Sequence, residues 1–175
     1  PAPRASAASR VAAPGAISSH PRAMSELSIP AERGVSNRVV FKCDLVSART
    51  ATRILRTFLA EQGLDDSELF QCEVCLAEAC NNAVQYASEA AAQSPVVAEA
   101  IFHGTGVELR VTDHTNGFEL RSRPDAIDPH RESGRGLFII QSMMDDVRYY
   151  RGAGRNTLVM RKSRTHQFHR PEHDA

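Results

Sequence analysis

The sequence has no excess charge of either sign, no long hydrophobic run and no second cysteine cluster, and each absence excludes a class of protein. Lysine plus arginine and aspartate plus glutamate number 21 each, so no overall field attracts nucleic acid or an anionic membrane. No apolar run approaches the roughly 18 to 20 residues of a membrane-spanning helix, and the first residues lack the apolar core of a secretory signal. We therefore expect a cytoplasmic protein that makes no direct contact with nucleic acid or membrane.

The four cysteines are Cys43, Cys72, Cys75 and Cys80, three of them within one predicted helix. They lack the second cluster that a four-ligand zinc site needs. Cys72 and Cys80 share a predicted helix face with Leu76, so we expect them in the core. Reduced thiols agree with a cytoplasmic location.

The chain is predicted to contain one domain with an extension at each end. Residues 1–35 are rich in alanine, proline, serine and arginine and have little to bury, which predicts a disordered N-terminal extension. Residues 164–175 follow the last apolar segment, and their histidines are more typical of a flexible C-terminal tail than of a metal site. The folded domain is therefore expected over residues 36–163.

Hydrophobic periodicity predicts helices and strands in alternation. Period-two alternation predicts a strand over 38–45, helical spacing predicts helices over 50–62, 65–87 and 136–147, and turn signals predict hairpins over 96–113 and 147–162. No internal repeat is present. The sum predicts an α+β two-layer sandwich of helices on a mixed, mostly antiparallel sheet.

The second helix carries polar residues in an unusual place. At about 100° per residue, Glu78, Asn82 and Gln85 fall on one face, almost opposite the apolar stripe. Such a face is usually solvated. A carboxylate and an amide at i and i+4 can also coordinate a hard cation and orient a hydroxyl, as phosphoryl transfer requires. The helix alone leaves both interpretations open.

Two glycine-containing stretches follow this helix. Asp113 ends a predicted strand, and Gly117 allows the backbone to approach a flat ligand. Gly134 and Gly136 precede a predicted helix, whose N-terminal amides can hold phosphate. Either stretch alone is weak evidence for a nucleotide site, so the interpretation depends on their order and spacing along the chain.

In that order the motifs resemble those of the anti-sigma-factor serine kinases of bacteria, within the histidine-kinase and gyrase type ATPase superfamily. EACNNAVQYA is similar to the N box of that family, VTDHTNGF to its adenine-binding box, and SGRGLFIIQSMMDDV to its second glycine box with the helix behind it. The closing NTLVM resembles the last strand. The resemblance covers roughly residues 36–163 and implies a Bergerat-type ATP-binding fold.

The resemblance also implies roles for individual residues. Glu78 would be the base that orients the substrate hydroxyl, Asn82 would bind Mg²⁺, and Asn81 beside it would contribute to the ATP site. Asp113 would accept the amino group of adenine. The other implied ATP-binding positions, which contact the base or pass the phosphates, are Gly117, Gly134, Arg135, Gly136, Leu137 and Thr157.

The activity implied by the resemblance is an ATP- and Mg²⁺-dependent serine kinase that works by partner switching. It would sequester a sigma factor and phosphorylate a serine of an anti-anti-sigma antagonist protein, and we expect a homodimer. An alternative is an ATP-binding, partner-sequestering module without kinase activity, which would not need Glu78. A detached sensor histidine-kinase domain would need an acceptor histidine on a preceding helix, and none is predicted before residue 36.

Two positions depart from the family pattern. Tyr86 stands where the N box usually has histidine, and Thr115 stands where the adenine-binding box usually has glycine. If Thr115 needs a left-handed backbone, it would be strained by roughly 1 to 3 kcal/mol, and ATP would bind in the micromolar range or more weakly. If Thr115 instead has an ordinary φ, its hydroxyl bonds locally and no strain exists.

Overall fold

The fold consists of one five-stranded sheet with helices packed against it. The computed structural model describes residues 34–120 and 135–164. The strand order is β1-β2-β3-β5-β4, and all four pairings are antiparallel, so the predicted α+β class is confirmed. In chain order the elements are β1 (Val35–Phe41), α1 (Leu45–Glu61), α2 (Asp66–Gln85), α3 (Glu89–Ala92), β2 (Val96–Phe102), β3 (Gly106–Asp113), α4 (Arg135–Met143), β4 (Asp146–Arg151) and β5 (Asn156–Ser163).

The first helix begins earlier in the chain than predicted. Asp44 has an extended backbone, and its carboxylate accepts the backbone N–H of Ser47 at 2.8 Å, so Asp44 is the N-cap of α1. The helix therefore begins at Leu45 rather than at Thr50. The strand predicted over 38–45 instead spans Val35–Phe41, and its end was placed too late because the alternation of apolar residues continues across this cap.

Two residues assigned to the extensions belong to the folded domain. Val35 pairs with Phe102 between β1 and β2. Arg164, directly after β5, donates from Nη2 to the carbonyl oxygen of Gly63 at 2.6 Å, and its guanidinium carbon lies 5.5 Å from the centroid of the Phe102 ring. Val35 and Arg164 are therefore part of the folded region, and residues 1–33 and 165–175 of the predicted extensions lie outside the described residues.

Helix α2 is the central helix and packs against α1, α4 and β3. Its start is fixed by a capping box, in which Asp65 accepts the Glu68 amide at 2.8 Å and Glu68 accepts the Asp65 amide at 3.0 Å. Within the described ranges, no helix is long and apolar enough to cross a membrane. The predicted apolar stripe of α2 is buried throughout: Leu69, Cys72, Leu76, Cys80 and Ala83.

The cysteines are free thiols, and three of them lie in the core. Burial raises the pKa of Cys72, Cys75 and Cys80 to about 12, so these side chains stay protonated at neutral pH. They therefore pack as small apolar residues. No three His, Cys, Asp or Glu side chains are grouped as metal ligands in the parts of the chain that the structure describes.

Candidate functional site

A cavity of about 490 Å³ lies between α2, α4 and the strands β3, β4 and β5. This volume is in the range of small-molecule sites. Residues of the predicted N box and of the predicted adenine-binding box line the cavity, together with residues at the start of α4. The cavity is lined by Ala79, Asn82, Ala83, Tyr86, Val111, Asp113, Thr115, Asn116, Gly117, Phe118, Glu119, Gly136, Leu137, Tyr149 and Leu158.

Asp113 lies buried at one end of the cavity, where β3 ends. Its Oδ1 accepts three hydrogen bonds, from the backbone amide of Thr115 at 2.8 Å, from the Thr115 hydroxyl at 2.7 Å and from Nδ2 of Asn156 at 3.2 Å. Oδ2 accepts no hydrogen bond from the described residues. A carboxylate fixed by one oxygen and free at the other is a suitable acceptor for an amino group of a ligand.

Thr115 adopts an ordinary backbone conformation. No described residue other than glycine has a positive φ, so the expected strain at Thr115 is wrong and the alternative, local bonding of its hydroxyl, is confirmed. The amide and hydroxyl of Thr115 close a turn on Asp113. The same hydroxyl accepts the N–H of Gly117 at 3.2 Å, and Gly117 itself takes the left-handed conformation with φ of 75°.

The loop that follows Asp113 is attached to the β4–β5 hairpin. The hydrogen bonds that join the two segments include His114 Nδ1 to the Gly154 carbonyl oxygen at 2.7 Å, Arg151 Nη2 to the Asn116 carbonyl oxygen at 3.1 Å, and Asn156 Nδ2 to the Thr115 carbonyl oxygen at 2.8 Å. The shape of this end of the cavity therefore depends on the last two strands.

Asn156, not the predicted Thr157, is the residue of β5 beside Asp113. Asn156 is buried and pairs with Asp113 across β3 and β5. The Thr157 hydroxyl lies 3.0 Å from the Thr112 hydroxyl, and it points to the other face of the sheet. Because successive strand residues face opposite sides, a shift of one residue moves a side chain across the sheet. Counting back by two from the core residue Leu158 would have identified Asn156.

The start of α4 lies directly against the polar face of α2. A Cβ atom on Gly136 would come within 2.5 Å of Glu78 Oε2 and 3.4 Å of Asn82 Nδ2. Glu78 and Asn82 are both half-buried, whereas Gln85 on the same face is exposed. The contact with α4 therefore removes this part of α2 from the solvent, and the interpretation as a purely solvated face does not hold for Glu78 and Asn82.

The residues at this end of the cavity fit a magnesium ion. A carboxylate and a side-chain amide supply the oxygen ligands that Mg²⁺ prefers, and Mg²⁺ commonly takes only one or two protein ligands beside oxygens of a phosphate and water. Glu78 and Asn82 meet at the first turn of α4. The unpaired amides of a helix N-terminus favour an anion at the same place.

The remaining predicted site residues differ in their positions relative to the cavity. Leu137 lines the cavity. Arg135 begins α4 and is exposed. Asn81 is half-buried on α2 and is not among the residues that line the cavity. Gly134 lies outside the described residues.

Two aromatic residues of the cavity were not predicted. The rings of Phe118 and Tyr149 stack with their centroids 3.9 Å apart and an angle of 25° between their planes, and both residues line the cavity. Tyr149 was placed in the correct strand, but the sequence contained no signal that β4 would bring it to the loop that follows β3. Tyr86, at the end of α2, also lines the cavity and is exposed.

Comparisons with known proteins show which family the chain resembles. Residues 41–162 match the family described as the histidine kinase-like ATPase domain. The serine-protein kinase RsbW of Listeria monocytogenes is 28% identical over 96 residues, which cover 50% of this chain and 61% of the relative. RsbW of Bacillus pumilus is 25% identical over 119 residues, which cover 62% of this chain and 72% of that protein. The chain thus spans 61% of the length of the Listeria relative that it matches.

The fold also has a counterpart among solved structures. The crystal structure of the RsbU and RsbW domains of a Mycobacterium tuberculosis protein superposes with a TM-score of 0.56 and 21% identity, over 74% of this chain and 32% of that one. This likeness concerns the fold alone. Because the family match spans most of the chain, the protein belongs to the histidine kinase-like ATPase domain family.

Proposed function

We propose that this chain is an ATP-dependent protein serine kinase that acts in partner switching. The observation that carries the proposal is the contact of Gly136 with Glu78 and Asn82, beside a cavity whose other end is Asp113. Asp113, Asn82 and Gly136 line this cavity, and Glu78 lies against Gly136 at its edge, so residues suited to holding a base and residues suited to phosphoryl chemistry are close together. The proposal is further supported by the relatives that are named serine-protein kinase RsbW.

The base of ATP would bind at the Asp113 end. There the free Oδ2 of Asp113 would accept the amino group of adenine, while Oδ1 is held by Thr115 and Asn156. Gly117 would allow the loop backbone to approach the flat base. The phosphates would then extend toward Gly136 at the start of α4.

Phosphoryl transfer would occur at the Glu78 end. The oxygen of a substrate serine forms a bond to the γ-phosphorus as the bond from that phosphorus to the bridging oxygen of ADP breaks, and Glu78 orients the hydroxyl and takes its proton. Asn82 would hold Mg²⁺, which neutralises charge on the phosphates when bound. The protein's own contribution is alignment of the reacting groups in a half-buried site.

The partners would be a sigma factor, which the chain sequesters, and an anti-anti-sigma antagonist, whose serine it phosphorylates. This part rests on the family resemblance and on the names of the relatives. The working unit would be the kinase domain, predicted over residues 36–163 and including Val35 and Arg164, present as a homodimer in the cytoplasm.

A second candidate is an ATP-binding module that sequesters its partner without transferring phosphate. The two differ in their need for Glu78, which is held half-buried against Gly136. A module that only binds would tolerate the loss of this carboxylate, whereas a kinase would not.

The test begins with proteins that co-purify with the chain from its host in the presence of ATP. These are incubated with the purified chain and γ-labelled ATP, and phosphoserine is measured. We expect Glu78→Gln to retain ATP binding and to lose transfer by about 10²- to 10⁴-fold. The matched control is Glu73→Gln on the same helix, which removes only an exposed pair with Arg56. Transfer by Glu78→Gln at the wild-type rate, or no transfer by the wild type, would contradict the kinase assignment.

A further inference from the structure

Residues of three neighbouring strands form one row across the sheet at the Asp113 end of the cavity. Asp113 of β3 pairs with Asn156 of β5, and Asn156 pairs in turn with Arg151 of β4. Residues directly opposite each other in a sheet project from the same face. The side chains of Asn156 and Arg151 are therefore neighbours on the face of the sheet that carries the cavity.

The loop that follows β3 is bonded to these two neighbours at consecutive residues. Asn156 Nδ2 donates to the carbonyl oxygen of Thr115 at 2.8 Å, and Arg151 Nη2 donates to the carbonyl oxygen of Asn116 at 3.1 Å. The second bond comes from a charged donor, which makes it stronger than a bond between neutral groups. Two successive peptide groups of the loop are thus held by the end of the β4–β5 hairpin.

Gly117, the next residue of the loop, packs against the same two side chains. A Cβ atom on Gly117 would lie 3.0 Å from Arg151 Nε and 3.2 Å from Asn156 Oδ1. A side chain at this position would therefore point at the hairpin and not into the cavity. Because Gly117 has none, its backbone lies directly against Arg151, which thus contacts the loop at two adjacent residues.

The same stretch of loop forms part of the cavity wall. Asn116 and Gly117 line the cavity, whereas Arg151 is not among the residues that line it. Arginine in nucleotide sites usually contacts phosphate. Here the phosphates are expected toward Gly136 at the other end of the cavity, so Arg151 can influence a bound nucleotide through the loop backbone that it holds.

We propose that Arg151 is a positioning residue, which holds the loop over residues 114–117 in the conformation that binds the base. This inference rests on the proposed function, because it takes the ligand to be an adenine nucleotide. Loss of the Arg151 bond should weaken adenosine, ADP and ATP by the same factor, since the base is common to all three. Transfer from bound ATP should not change, because the Glu78 end of the cavity keeps its contacts.

The first measurement uses Arg151→Met, which keeps an unbranched side chain and removes the donor to Asn116. We expect the dissociation constants for adenosine, ADP and ATP, measured by calorimetry, to rise by one common factor of about 3 to 10. The melting temperature of the free protein should stay close to that of the wild type, because Arg151 is exposed. The matched control is Arg155→Met, which removes the same charge from another exposed position of the hairpin and should bind all three ligands like the wild type.

The second measurement separates binding from chemistry in the phosphate-transfer assay. For Arg151→Met we expect KM for ATP to rise and kcat at saturating ATP to equal that of the wild type. A residue that contributed only to stability would change neither constant in the folded protein.

Several results would overturn the inference. Wild-type affinity of Arg151→Met for adenosine would remove it and leave the proposed function intact, as would a large fall in melting temperature. A loss that grows from adenosine to ATP, or an equal loss in Arg155→Met, would assign Arg151 an electrostatic effect on the phosphates. A fall in kcat with unchanged KM would place Arg151 in the transfer step. Absence of adenine-nucleotide binding by the wild type would overturn the proposed function together with this inference.

Discussion

Thr115 donates two hydrogen bonds to a single oxygen of Asp113, one from its backbone amide at 2.8 Å and one from its hydroxyl at 2.7 Å. Both go to Oδ1, and the amide of Asn156 adds a third at 3.2 Å. One oxygen of the carboxylate is thus used to hold the loop, which leaves the other for a ligand. This division between the two oxygens determines what substitutions at these positions should do.

Replacing Thr115 with glycine should lower stability without improving ATP binding. The variant loses the hydroxyl bond to Asp113 and gains freedom in the unfolded chain, and together these should reduce the free energy of unfolding by about 2 kcal/mol. Thermal unfolding and calorimetry with ATP measure the two effects. Thr115→Ser keeps the hydroxyl and should lose less than half as much stability. Tighter ATP binding by Thr115→Gly would show that the threonine is strained after all.

Replacing Asp113 with asparagine should weaken ATP binding more than it affects folding. The amide oxygen of asparagine can take the place of Oδ1 and keep the bonds from Thr115 and Asn156, while its NH₂ group replaces Oδ2. That NH₂ would then face the amino group of adenine, so affinity should fall by about 10- to 100-fold. Asp145→Asn, at an exposed position after α4, serves as the control. Equal ATP affinity in Asp113→Asn and the wild type would exclude Asp113 from the base-binding site.

Substitutions of the neighbouring β5 residues Asn156 and Thr157 should have different effects on ATP binding. Asn156→Ala removes the amide that bonds Asp113 and the Thr115 carbonyl oxygen, so both ATP affinity and melting temperature should fall, the stability by about 1 to 3 kcal/mol. Thr157→Val removes a hydroxyl on the other face of the sheet and should leave ATP affinity unchanged. If calorimetry shows weaker ATP binding for Thr157→Val and unchanged ATP binding for Asn156→Ala, Thr157 is the binding residue instead.

Adding one methyl group at the start of α4 should disturb the Glu78 end of the cavity. In Gly136→Ala the new Cβ would lie 2.5 Å from Glu78 Oε2, so either Glu78 or the helix must shift. We expect phosphate transfer to fall at least about 10-fold, since small misplacements of catalytic groups are costly. The melting temperature should change little, because Glu78 Oε2 is the far end of a flexible side chain and alanine is favoured over glycine inside a helix. Transfer by Gly136→Ala at the wild-type rate would contradict the close contact.

Stability at low pH should depend on Glu108. Burial alone would raise the pKa of Glu108, but its pairs with Arg161, at 2.6 Å, and with Arg110 outweigh burial and hold the pKa below its usual value. A lowered pKa in the folded state adds stability above the unfolded-state pKa, and this stability is lost as pH falls through the folded-state pKa. Glu108→Gln should therefore be less stable than the wild type by about 1 to 3 kcal/mol at pH 7.

The difference in the free energy of unfolding between Glu108→Gln and the wild type should shrink as the pH is lowered below the usual pKa range of a glutamate. Urea unfolding at several pH values measures this difference. Glu73→Gln breaks an exposed pair with Arg56 and should change stability by less than about 1 kcal/mol at every pH. A difference for Glu108→Gln that is constant with pH would contradict the lowered pKa.

The parts of the fold that were predicted correctly are those with strong local signals. The helical spacing of apolar residues predicted α2, and the turn between β2 and β3 predicted the first hairpin. The extent of β1 was missed because a residue that caps α1, Asp44, continued the alternation of the strand. The local pattern of apolar residues does not show whether Asp44 continues the strand or caps the helix.

The site was predicted only in part, for a physical reason. Glu78 and Asn82 share one helix face, so their neighbourhood follows from helix geometry, and the structure brings them to Gly136. The face of Asn156 depends on strand register, and the stack of Phe118 on Tyr149 depends on sheet order. Register and sheet order are set by long-range packing, which a single sequence does not display.

The attachment of the loop to the β4–β5 hairpin has a consequence for synthesis of the protein. Asp113 and its partner Asn156 are 43 residues apart, so the loop leaves the ribosome well before the strand that anchors it. A nascent chain with α1, α2 and β3 already formed would still lack the hydrogen bonds from Arg151 and Asn156. A ligand stabilises only a conformation to which it binds, so nucleotide cannot assist the early co-translational steps and can act only after the final strand has joined the sheet.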